Sequence, residues 1–114
     1  MTNLLLVDDD EGVLGALSML LEFGGYRIWT ARSTAEARAI LAREEVDCVI
    51  TDAHIPGDDV LELVQWLKEA HPTVHVILCS GADDDLVQRL KRHVEASVSK
   101  HAGLEVISDV VNGI

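Results

Sequence analysis

No apolar run in this 114-residue sequence is long enough to cross a bilayer. Uninterrupted stretches such as Leu4 to Val7 fall far short of the ~20 residues a membrane helix needs. Basic residues are scarce as well. Nine Lys and Arg stand against twenty Asp and Glu, giving a formal net charge of −11. Such a surface repels phosphate backbones, so neither nucleic acid nor membrane is an expected partner. The apolar start runs directly into Asp8, Asp9, Asp10 and Glu11 with no basic segment ahead of it, unlike a secretory signal. The two cysteines, Cys48 and Cys79, both lie inside apolar runs. They read as core thiols of a protein kept in a reducing cytoplasm. The five histidines show no zinc-ligand spacing. Aromatics make up only 4%, and Trp29 and Trp66 read as packing residues. No repeat and no Pro-, Gly- or Ser-rich linker divides the chain, so residues 1–114 are expected to form a single domain.

What is present is an alternation. Short apolar runs occur at Leu4–Val7, Tyr26–Thr30, Asp47–Thr51, Val74–Cys79 and Ala96–Ser99. The first, third and fourth are nearly continuous in Leu, Val, Ile and Cys, as suits strands buried on both faces of a parallel sheet. Helical spacing fills the gaps. Val13, Leu14, Leu17, Leu20 and Leu21 form one stripe, stopped by Gly24-Gly25. Ser33 with Glu36 makes a capping box for a second helix, and Asp59 with Glu62 repeats it for a third. Asp83 to Asp85 favour the start of a fourth, and Leu104, Ile107 and Val111 mark a fifth. Strands alternating with helices imply right-handed crossovers. The predicted fold is a three-layer α/β sandwich around a five-stranded parallel sheet.

The polar residues that break the strand pattern fall at strand ends: Asp8, Asp9 and Asp10 after the first, Asp52 after the third, Ser80 after the fourth and Lys100 after the fifth. Open parallel sheets bind ligands outside the carboxyl ends of their strands. Carboxylates gathered there repel, by roughly 1 kcal/mol per pair at 4 Å in water. An all-oxygen site relieves that repulsion with magnesium. One carboxylate can then act as a nucleophile toward phosphorus, while a hydroxyl and an ammonium, Ser80 and Lys100, hold the phosphoryl oxygens. The inventory points to phosphoryl transfer onto Asp52.

At these positions the sequence resembles the receiver domains of two-component response regulators. The matching pieces are Leu5-Leu6-Val7-Asp8-Asp9-Asp10, Val49-Ile50-Thr51-Asp52 followed by Pro56-Gly57, Val76-Ile77-Leu78-Cys79-Ser80-Gly81 and Val98-Ser99-Lys100. The resemblance implies a flavodoxin-like strand order 2-1-3-4-5 and phosphorylation of Asp52 by a sensor histidine kinase. It implies Mg2+ held by Asp9 directly, by Asp8 mainly through water, by Asp52 and by the backbone carbonyl of His54, with Asp10 less directly involved. Ser80 would bind the phosphoryl group and Lys100 would pair with it, so that Asp52, Ser80 and Lys100 carry the chemistry. The signal would pass to a downstream protein or output domain through the face of helix four, strand five and helix five, or to a homodimer partner. Such a domain is a signalling phosphoacceptor, not a metabolic enzyme.

Four positions depart from the family pattern: Ser97 replaces an aromatic, His101 a proline, Val60 a glycine and His75 a frequent proline. Ser97 and His101 bear on the conformational switch and leave open a degenerate receiver that serves only as a constitutive interaction module. A further alternative is a phosphatase of the haloacid dehalogenase type, which would use Asp8 and Asp10 as its Asp-x-Asp pair. Arg89, Lys91 and Arg92 form a basic group on the fourth helix, more in keeping with a solvated face than with a partner contact.

Overall fold

A computed structural model describes residues 3–114. Five strands and five α-helices alternate: β1 Asn3–Val7, α1 Glu11–Phe23, β2 Arg27–Ala31, α2 Thr34–Arg43, β3 Cys48–Thr51, α3 Val60–Ala70, β4 His75–Ser80, α4 Asp85–Lys91, β5 Ala96–Ser99 and α5 Leu104–Asn112. A single 3₁₀ turn, Lys100–Ala102, joins β5 to α5. All strands pair in parallel, in the order β2-β1-β3-β4-β5. The expected order and all ten elements are present. β2, β3 and β4 each begin one residue later than the apolar runs suggest: Tyr26 and Val74 donate their N–H groups back to Leu21 and His71 at the ends of α1 and α3, and Asp47 donates its own to the Asn3 carbonyl just ahead of the β3 ladder.

Side-chain alternation along the central strands divides the core in two. Leu5, Val7, Val49, Val76 and Leu78 face α2, α3 and α4. Leu4, Leu6, Cys48, Ile50, Ile77 and Cys79 face α1 and α5. Ten of the side chains in these layers are Leu or Ile with under 2% exposure, each contributing ~1.5–3 kcal/mol of apolar burial. Among the described residues no helix is long and apolar enough to cross a membrane.

Local signals set the helix ends. Asp10, Ser33, Asp59 and Asp84 each accept a hydrogen bond from a backbone N–H in the first turn of α1, α2, α3 and α4. Gly25, at φ +97°, makes the left-handed turn that releases α1 into β2. Trp29 and Trp66 pack against the α2–α3–α4 layer, each under an arginine: Arg27 lies 4.7 Å from the Trp29 ring and Arg38 4.8 Å from that of Trp66. Both cysteines are buried and free, with burial raising their thiols to about 12 for Cys48 and about 11 for Cys79. They are inert core residues.

Candidate functional site

Register brings the polar strand ends together. Val7 pairs with Thr51, Thr51 with Leu78, and Ser80 with Ser99, so Asp8, Asp52, Ser80 and Lys100 emerge side by side at the carboxyl edge. The Asp8 and Asp52 N–H groups still donate to the carbonyls of Ala31 and Val7. These residues therefore leave the sheet at a fixed angle, not in free loops.

Lys100 is shared between two carboxylates. Its Nζ lies 2.7 Å from Asp8 Oδ2 and 3.0 Å from Asp52 Oδ2. Asp8, Asp52 and Ser80 are all under 9% exposed. The Asp10 N–H holds Asp8 Oδ1 at 3.0 Å, and the His54 N–H holds Asp52 Oδ1 at 3.3 Å. Burial pushes the Asp8 carboxyl above its ordinary range, outweighing the lowering effect of Lys100 and the Asp10 N–H. Burial alone would lower the Lys100 ammonium, but its bonds and charge attraction to Asp8 and Asp52 outweigh that and raise it. The ammonium is thus fixed in its charged form.

Asp8, Asp9 and Asp52 present carboxylate oxygens that all lie within 4.8 Å of one another. Hard oxygen donors at that spacing suit a divalent cation such as magnesium. The Asp9 carboxylate makes no hydrogen bond among the described residues and is free to take one. Asp10 stands apart. Its Oδ1 accepts from the Gly12 and Val13 N–H groups and caps α1, which removes the second acid that an Asp-x-Asp phosphatase would need.

The loop after β4 is built from Ser80 outward. Ser80 Oγ accepts from the Ala82 N–H at 3.2 Å, and the His101 ring nitrogen Nε2 meets the Gly81 carbonyl at 2.9 Å. His101 also donates its N–H to Ser99 Oγ, a bond that proline could not make. His75 donates its N–H to the Asp47 carbonyl, so there too the departure from proline gains a hydrogen bond. Ser97 stands on the exposed side of β5 beside a cavity of about 290 Å³, also lined by Ser80, Gly81, Val87, Lys91 and His101. The His54 ring reaches Asp84 at 2.7 Å, tying the loop after β3 to the cap of α4. The Val87 N–H on that cap, helped by the His54 ring, holds the Asp84 carboxyl below its ordinary range. Arg89, Lys91 and Arg92 are all exposed.

Two contributors escape a sequence reading. Lys100 looks like a partner of Asp52, but its equal claim on Asp8 needs the register. Arg32, just after β2, bonds Glu11 and the Asp9 carbonyl oxygen. The only trace in the sequence is a lone cation at the end of a strand.

Comparison with known proteins decides the family. The model of the response regulator receiver domain matches residues 4–112. The chain belongs to the receiver domains of two-component response regulators. Over 112 residues it is 32% identical to the transcriptional regulatory protein GlrR of Escherichia coli (strain K12), covering 96% of this chain and 25% of that protein. This receiver domain thus spans about a quarter of the length of that curated relative. Among solved structures, the signal receiver domain of an HD domain-containing protein from Pseudomonas fluorescens Pf-5 superimposes with a TM-score of 0.90 at 29% identity, covering 98% of this chain and 85% of that one. A Burkholderia pseudomallei response regulator, solved with a phosphorylated aspartic acid, a calcium ion and citrate, gives 0.83 at 28% identity, covering 94% and 64%. Receiver domains are signalling domains, and this fold and family match the expectation from the strand-end residues.

Proposed function

We propose that this receiver accepts a phosphoryl group on Asp52 from the phosphohistidine of a sensor kinase in the cytoplasm. An Asp52 oxygen would form the new bond to phosphorus while the bond from phosphorus to the donor nitrogen breaks, the imidazole leaving with that electron pair. The observation that carries this reading is the shared ammonium: Lys100 lies within 3.0 Å of Asp52 and touches Asp8 too. From there its charge-assisted bonds could follow a phosphoryl oxygen. Mg2+, held by Asp8, Asp9, Asp52 and the His54 backbone carbonyl, would neutralise charge on the transferring group. Ser80, at the end of β4, would donate its hydroxyl to another phosphoryl oxygen. The phosphorylated aspartic acid of the Burkholderia relative supports the assignment by analogy.

The output would run through the face of α4, β5 and α5 to a downstream protein, an output domain or a second copy. With serine at 97, an aromatic rotation cannot report the event, since such a rotation moves roughly 150–250 Å² of ring surface. Coupling would instead follow Ser80 and the 81–84 loop, already clasped by His101. The test is intact mass after incubation with acetyl phosphate and magnesium. The parent should gain one phosphoryl group and Asp52→Asn none. Labelling of the asparagine variant would refute Asp52 as acceptor, and an unlabelled parent would favour the constitutive interaction module.

A further inference from the structure

We infer that Arg32 positions Asp9 for its divalent cation. This role presupposes the cation site proposed above. Each of the other two carboxylates has side-chain anchors: Asp8 is held by the Asp10 N–H and Lys100, and Asp52 by the His54 N–H and Lys100. The Asp9 carboxylate has none among the described residues, although its oxygen lies within 4.8 Å of theirs. Its direction is set through its own backbone, and Arg32 is what grips that backbone from outside the loop.

The grip is rigid at its base. The Arg32 N–H donates to Glu36 Oε2 at 3.1 Å, and Glu36 in turn donates its N–H to Ser33 Oγ at 3.1 Å. The capping box of α2 therefore fixes where the arginine starts. From there the guanidinium uses two different nitrogens. Nη1 donates to Glu11 Oε1 at 2.8 Å, and Nη2 to the Asp9 carbonyl oxygen at 3.2 Å. A planar fork can hold both at once, whereas a lysine ammonium would have to divide itself between them without a fixed orientation. Groups that orient a metal ligand from behind are worth 10–100-fold in affinity.

Charge and orientation act in opposite directions here, which makes the role separable. A nearby cation repels Mg2+, so removing Arg32 would tighten binding if charge were its main effect. Glu11, at 2.8 Å, neutralises much of that charge locally, and orientation is left to dominate. Arg32 is half-exposed, with 54% of its side chain in water, so its variants should fold.

Calorimetric titration of Mg2+ into the unphosphorylated protein tests this without any phosphodonor. The parent should bind, and Asp9→Ala should lose most of that binding. Arg32→Gln should bind about tenfold more weakly, with Arg32→Lys between it and the parent. A glutamine variant that binds as tightly as the parent, or more tightly, would overturn the positioning role, as would a lysine variant equal to the parent. The lysine comparison also decides the matter should circular dichroism show the glutamine variant unfolded. A parent that binds no Mg2+ overturns the cation site itself and this role with it, whereas failure of the variants alone leaves the cation site standing.

Discussion

Both ends of the sheet bring a nitrogen base against a carboxylate, under opposite conditions of exposure. At the amino-terminal end, His75 Nδ1 meets Glu95 Oε1 at 2.5 Å with both side chains more than 40% exposed. At the carboxyl end, Lys100 meets Asp8 and Asp52, whose side chains are no more than 10% exposed. A solvated pair loses little solvation and gains little, typically 0–1 kcal/mol. A nearly buried cluster of two acids and one base gives up much more solvation than a surface pair does, although the contacts of Lys100 outweigh its own burial. Burial raises Asp8 even with Lys100 in contact, which is the mark of an ionised form held against its preference. The charged groups are solvated at one end and nearly buried at the other, and the buried end is where the phosphoryl chemistry is proposed.

The sharpest way to break the contrast is to remove the ammonium. Without metal, Lys100→Met leaves two nearly buried carboxylates facing each other and should cost about 2 kcal/mol of stability. Urea unfolding measures it, and a loss below about 0.5 kcal/mol would mean the carboxyl end is as relaxed as the other. Magnesium should act in the opposite sense. At ten times its dissociation constant it adds ~1.4 kcal/mol, a rise in melting temperature of about 4–8 °C for a domain of this size. Asp9→Ala should remove most of that rise.

Alkaline pH sharpens the same comparison with a smaller effect. The Lys100 pKa is raised above its ordinary 10.5 on folding. Its contribution to stability is therefore fully present below that value and lost as pH rises through the folded pKa. Asp8 follows the same sign at acid pH: its folded pKa lies above 3.8, so stability falls as pH rises from that value through the folded pKa. As pH rises above the ordinary 10.5 the parent should lose more stability than Lys100→Met. Parallel losses would detach Lys100 from the balance. The smallest effect belongs to the other end, where His75→Gln should change stability by less than about 0.5 kcal/mol at neutral pH.

Much of this was legible in the residues because the signals were local. Continuous apolar runs gave β1, β3 and β4, caps at Ser33 and Asp59 gave helix starts, and the polar strand ends gave the site. Register was less legible. Lys100 is 92 residues from Asp8, and no local pattern says that one ammonium reaches two acids. Asp10 could pass for a ligand because a capping carboxylate and a metal carboxylate look alike in sequence, and only its bonds to the Gly12 and Val13 N–H groups separate them. Arg32 was invisible because its partners, Asp9 in the loop after β1 and Glu11 at the start of α1, lie more than twenty residues away.

The central claim is that the carboxylate gripped by Lys100 at the end of β3 is the one that takes the phosphoryl group. Its most direct test is to label the parent with a small phosphodonor and Mg2+, reduce the acyl phosphate with borohydride and sequence the peptides by mass spectrometry. Reduction converts a phosphorylated aspartate to homoserine and leaves the others untouched. The account predicts homoserine at position 52 and aspartate retained at 8, 9 and 10. Homoserine at position 8, with Asp52 unchanged, would contradict it.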